Sequence, residues 1–179
     1  MQRRAFAEVI ATGRTNGTKT GPTYPNGLVA KPPGATFGPV LGRGLVAGAV
    51  GGVLSGLPST GHALLTGGDP LAAARAAGNL LLPADSRPGQ LLVAGGVAHV
   101  AVSLGWGTVL AVAVRRSSLA PITVGVLAGL IIAAVDLGLV AHGPVGRRWP
   151  LIRALPVVPQ VADHVAFGAI AGAVLARRG

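Results

Sequence analysis

From residue 38 onward the chain alternates long apolar stretches with short segments bearing proline, arginine or aspartate. Four stretches are long enough to cross a bilayer, whose hydrocarbon takes about 20 apolar residues of helix. The first runs over 39–57 and stops at Pro58. The second covers 91–114 and ends before Arg115-Arg116. A third begins at Pro121, a residue tolerated at a helix start, and reaches Ala141. The fourth follows Pro156, covers 157–176 and ends before Arg177-Arg178. The longest connection is 59–90, where Asp69-Pro70 reads as a helix cap and first position. That predicts a loop helix over 70–82 with Leu71, Ala74, Gly78, Leu81 and Leu82 as its apolar side. It is too short to span and carries Arg75, so it belongs at the interface or dips back into the bundle. The pattern predicts an all-α fold, an integral membrane four-helix bundle with one extra interfacial or re-entrant helix.

Residues 1–37 break the pattern. Arg3, Arg4, Arg14, Lys19 and Lys31 lie among Thr, Gly, Pro and Asn, and Phe6 to Ala11 is too short an apolar run for a signal peptide. This region is expected to be a disordered basic cytoplasmic tail, and 38–179 the transmembrane domain.

Composition strengthens the membrane reading. Charged residues make up 11% of the chain, against roughly 25% in a soluble domain. The 29 glycines would bury little area in water, yet between membrane helices they let backbones approach closely. The net charge of +10 would suggest nucleic acid in a soluble protein, but the basic residues gather at the ends of apolar stretches, and no nucleic-acid partner is expected. With no cysteine, disulfides and thiolate chemistry are excluded. Thirteen arginines against two lysines, with the Ala/Gly/Val bias, fit a GC-rich bacterial genome.

Charge also orients the chain. Placing both termini inside puts Arg3, Arg4, Arg14, Lys19, Lys31, Arg43, Arg115, Arg116, Arg177 and Arg178 on the cytoplasmic side. Arg75, Arg87, Arg147, Arg148 and Arg153 fall outside. The imbalance favours N-in, C-in in a bacterial inner membrane.

The glycines are not scattered. Gly44, Gly48, Gly52 and Gly56 recur every four residues and form one row on the first span, an extended GxxxG packing signature. Such a row serves contact with a helix of the same chain or of another, so a homo-oligomer or a membrane-protein partner is expected beside the lipid bilayer. Gly125 and Gly129 repeat the spacing on the third span, Gly168 and Gly172 on the fourth. The segment from His99 to Ala111 matches that from His164 to Ala176 at seven of thirteen positions, including the histidine and the glycine eight residues on. Gly44–Gly48 aligns with Gly125–Gly129, which sets Ser55 opposite Asp136. A repeat of two like-oriented hairpins is the architecture this suggests.

Against that apolar background, His99, Asp136, Asp163 and His164 stand out, because ionisable groups in hydrocarbon are costly and usually face the bundle interior or a ligand. Taken from the outer ends of their spans, they lie about 8 to 12 Å deep, at one level. Both histidines fall on small-residue rows, His99 with Gly95, Ser103 and Gly107, and His164 with Gly168 and Gly172. Both imidazoles are therefore expected to point inward. Asp163 is turned about 100° from His164, toward Asp136 or the outer-loop arginines. His99, Asp136, Asp163, His164, Ser55 and Ser103 form the candidate polar cluster.

Three chemistries fit it. Interhelical hydrogen bonds would fix register; Asp and His would pass protons through a small cavity; or His99 and His164 would ligate a b-type haem, with Arg147 and Arg148 at its propionates. No metal motif, GxSxG, Walker A, HExxH or Rossmann fingerprint is present, and no catalytic residue is assigned. His62 and His142 are expected at the outer boundary, Trp149 as an interfacial anchor, and Trp106 packed within its span.

The stretches Pro58 to Gly78, His99-Val-Ala-Val-Ser-Leu-Gly-Trp-Gly107 and Ala162-Asp-His-Val-Ala-Phe-Gly168 resemble small multi-pass membrane proteins of unknown function from GC-rich bacteria. The resemblance covers residues 39–178 and implies a fold, not an activity. The expected role is structural or interaction-based and non-enzymatic, with a small carrier or proton-linked permease as the alternative and a haem-binding anchor as the lesser one.

Overall fold

A computed structural model of the chain describes residues 37–177. The expected tail, apart from Phe37, lies outside the described residues, as do Arg178 and Gly179. Among the described residues seven α-helices follow one another: α1 (Phe37–Ser55), α2 (Leu57–Leu65), α3 (Ala72–Gly78), α4 (Pro88–Arg116), α5 (Pro121–Ala133), α6 (Pro150–Arg153) and α7 (Val157–Ala176). A π-helical segment, Ala134–Ala141, prolongs α5, and a 3-10 turn, Pro144–Arg148, precedes α6. Among the described residues there is no strand. Four helical stretches are long and apolar enough to cross a membrane: Gly38–Leu65, Pro88–Arg116, Pro121–Ala141 and Val157–Ala176. The fold is an all-α bundle that fits a multi-pass membrane protein. Large apolar side chains on its outside, such as Val53 at 82% exposure and Ile131 at 62%, suit lipid rather than water.

The first apolar stretch does not end at Pro58. Only a one-residue turn at Gly56 separates α1 from α2, and Pro58 lies in the first turn of α2, where a missing N–H leaves no helical bond unmade. The helix thus runs a further two turns, to Leu65.

The loop helix is shorter than the pattern suggested. Asp69 acts ahead of α3: its carboxylate accepts from Leu71 N at 2.9 Å, and its carbonyl accepts from Ala72 N at 3.1 Å. Arg75 pairs with the same carboxylate. At the other end Asn79 leaves the helix, and its side chain donates to Leu82 O at 3.0 Å. α3 lies directly on α4. A side chain on Gly78 would strike Leu91 O, and one on Gly95 would strike Ala74 O.

Glycine seams set the bundle. A methyl group on Gly44 would lie 2.6 Å from Thr108 Cα; Gly48 faces Ser103 O and Leu104; Gly52 faces Ser103. Gly107 fits back between Gly44 and Gly48. Three members of the first-span row are therefore occupied by α4 of the same chain, one of the two kinds of neighbour that the row allows. Only Gly56, at the turn, meets open space. On the other side Gly125 meets Gly168 O, Gly129 meets His164 O and Val165, and Gly172 meets Pro121 O and Ile122. Residue numbers rise along one helix as they fall along the other, so α1/α4 and α5/α7 are antiparallel hairpins. α7 also packs antiparallel to α1, with the Phe167 ring on Gly51 and Arg43 Nη2 donating to Leu175 O at 3.3 Å. That cation at the carboxyl end of α7 meets the negative end of the helix dipole. Near it sits the small apolar core of Ala47, Leu110, Ala111, Ala171 and Leu175.

The hairpins share a register, one turn away from that read in the sequence. Matching α4 to α7 through His99/His164 and Gly107/Gly172 puts Gly48 opposite Gly125, because Ser103 O and Gly168 O, which they meet, are equivalent backbone atoms, and sets Gly52 opposite Gly129 one turn on. Asp136 then corresponds to Ser59 rather than Ser55, each lying eleven residues after its glycine.

Candidate functional site

The half of the bundle away from the apolar core carries the polar groups. Eleven residues make three helical turns plus about 20°, so Asp136 falls on the same stripe as Gly125 and faces α7. It stands in the π-helical segment, where the wider turn is closed by His142 N donating to Leu137 O at 3.0 Å. π-helical turns recur at functional sites. His164, on the glycine seam of α7, meets Asp136 Oδ2 through Nε2 at 3.3 Å, and its Nδ1 lies 2.7 Å from Gln160 O.

Those two distances restrict the protons. A carbonyl only accepts, so Nδ1 carries hydrogen. Nε2 then either donates to an ionised Asp136, as part of an imidazolium, or accepts from a protonated one. One proton is shared between them, and the pair is neutral overall in both forms. That lowers the cost of holding two ionisable groups in hydrocarbon, and their side chains keep only 21% and 33% exposure.

Asp163 faces neither Asp136 nor the loop arginines. Its Oδ1 accepts from Ser59 N at 2.9 Å, at the start of α2. Adjacent residues on α7 thus hold different neighbours, His164 holding α5 and Asp163 holding α2, which the 100° step between them requires.

His99 does not join this group. Its Nε2 donates to Gly52 O at 2.8 Å, and the same carbonyl accepts Ser55 Oγ at 3.4 Å. The residue is exposed, at the rim of the α1/α4 seam rather than inside the bundle. Ser103 is buried against Gly52. The six candidates therefore separate into three groups instead of one cluster: Asp136 bonded to His164, Asp163 to Ser59, and His99 and Ser55 to Gly52 O with Ser103 packed beside that glycine.

Sequence reasoning missed four participants. Ser59 and Gln160 act through backbone atoms and leave no side-chain signature. Asn79, 4% exposed, accepts Leu151 N at 3.3 Å and ties α3 to α6; a lone amide inside an apolar run was its signal. Arg43 lies within the first span but was counted only for its charge.

A cleft of about 150 Å³ opens at this end between α2 and the start of α7. Ser59, His62, Thr66, Asp69 and Gln160 line it with Pro156 and Pro159. It adjoins the polar groups through Ser59 and Gln160. His62 and His142 are exposed, and Trp106 and Trp149 are half-buried.

Both ring nitrogens of His164 are in hydrogen bonds, and His99 keeps only Nδ1 free. Among the described residues no three His, Asp or Glu side chains converge as metal ligands.

No family model matches the chain, and no curated protein or solved structure shows significant similarity to it.

Proposed function

We propose that this chain is a non-enzymatic structural or interaction protein of the membrane, an embedded bundle that holds its helices in fixed register. The observation that supports this reading is where the polar atoms go. His164, Asp136, Asp163 and His99 each bond a neighbouring helix or its backbone, and none of them lines the cleft beside α2. Hydrogen bonds of this kind contribute about 0.6 kcal/mol each, up to about 2. They fasten helices that the glycine seams already align. We further propose the plasma membrane with both termini inside. Arg43, Arg115, Arg116 and Arg177 support this orientation, since they share the end where α1 begins and α4 and α7 finish, with no carboxylate there among the described residues.

A second reading, a small proton-linked permease, is favoured by one observation: the cleft is lined by Ser59 and Gln160, whose backbone atoms bond Asp163 and His164. One experiment separates the two. Purified protein in liposomes under a pH gradient is expected to leak protons no faster than empty liposomes, while Asp136→Ala and His164→Ala lower thermal stability in mild detergent. Proton flux in the wild type that Asp136→Asn abolishes with the fold intact would overturn the structural reading.

A further inference from the structure

We infer that the segment joining the third and fourth apolar stretches is a binding site for the phosphate of an anionic phospholipid headgroup. The 3-10 turn and α6 bring Arg147 and Arg153 to the edges of one shallow, open hollow, completed by Pro150 and Ala154. Arg147, Arg148 and Arg153 are exposed, and none forms an ion pair among the described residues. Arg75, at the same end of the bundle, differs in being neutralised by Asp69. Here three guanidinium groups within seven residues have no carboxylate partner among the described residues.

Position identifies the anion. The segment lies between Ala141, where one apolar stretch ends, and Val157, where the next begins, so the hollow sits at the level of the headgroups. Half-buried Trp149 between the arginines suits that polar boundary. Two guanidinium groups present paired N–H donors matched to phosphate oxygens, and basic side chains near a membrane surface draw in anionic lipid. A zwitterionic headgroup carries its own cation and gains less. The segment is also fixed rather than free, since Leu151 N donates to the buried Asn79.

The test uses the full chain in nanodiscs of phosphatidylcholine doped with phosphatidylglycerol, with bound lipid read by native mass spectrometry and by displacement of a fluorescent phosphatidylglycerol. The wild type is expected to enrich phosphatidylglycerol over phosphatidylcholine. Arg147→Gln with Arg153→Gln should weaken that binding about thirty-fold. Arg115→Gln with Arg116→Gln, at the opposite end, should leave this site's lipid bound. The paired lysine variants, R147K with R153K, keep the charge and should retain part of the preference, which guards against a glutamine variant that fails to fold. Equal binding of the two lipids by the wild type, or unchanged binding in the folded glutamine variant, overturns the proposal. So does complete displacement by millimolar inorganic phosphate, which would assign the site to a free anion.

Discussion

In the α1/α4 hairpin, Gly44, Gly48 and Gly52 rest on Ser103, Gly107 and Thr108, and the histidine bonds a main-chain carbonyl. In the α5/α7 hairpin, Gly125 and Gly129 rest on Gly168, His164 and Val165 in the same register, yet the corresponding histidine meets a carboxylate side chain. Packing and polar chemistry are thus separable in this bundle. The seam depends on the absence of Cβ atoms, which glycine alone provides. The polar bond depends on what stands eleven residues further on, serine in one hairpin and aspartate in the other.

The strongest way to break the comparison is to fill the seams. Gly48→Val and Gly125→Val each drive a branched side chain into backbone, Ser103 O in one case and Gly168 O in the other, and no rotamer relieves that collision. Overpacking costs about 1–3 kcal/mol and sometimes more, and contact with main chain belongs at the upper end. Both variants should lose about 3 kcal/mol or more in reversible unfolding in detergent, and by similar amounts. Gly56→Val and Gly96→Val, with no atom near enough to clash, should stay close to wild type. A large gap between the two seam variants would mean that the hairpins only look alike.

This layer was the most legible part of the sequence. Spans, glycine rows and the likeness of α4 to α7 all follow from residue type and period, which report local geometry directly. Register was read one turn off, because Gly44–Gly48 and Gly48–Gly52 fit Gly125–Gly129 equally well in a repeat of four, and only contact with a second helix separates them. Pro58 looked like a stop, yet one turn into a new helix it breaks no bond. The polar groups were legible as residues but not as partners. Ser59 N and the carbonyls of Gly52 and Gln160 are main-chain atoms, which no residue type announces. The π-helical segment around Asp136 likewise carries no composition signal, since i to i+5 bonding is settled by what the helix packs against.

Next in size is the pair itself. Asp136→Ala and His164→Ala should each cost about 1–2 kcal/mol, the upper range for a bond between membrane helices. Combining them should cost less than the sum, since each already removes the shared proton's second site. Asp136→Asn should cost less than Asp136→Ala, because its amide donates to Nε2 of a neutral ring and leaves the Nδ1–H bond to Gln160 O in place. If Asn and Ala cost the same, the proton-sharing description of the pair is wrong.

The smallest effect is the most discriminating. His99→Ala removes one hydrogen bond, to Gly52 O, worth about 0.6 kcal/mol between membrane helices. It also removes a polar ring from an exposed position on an apolar helix, and in a bilayer that change acts in the opposite direction. The two contributions should nearly cancel, leaving a shift within about 0.5 kcal/mol, well below that of His164→Ala. The comparison must be made in lipid as well as in detergent, because a micelle hydrates an exposed imidazole and hides the second contribution. Should His99→Ala destabilise the protein as much as His164→Ala in a bilayer, His99 would have a partner beyond Gly52, and the hairpins would carry equal polar loads. The asymmetry between them would then belong to residue identity alone, not to energy.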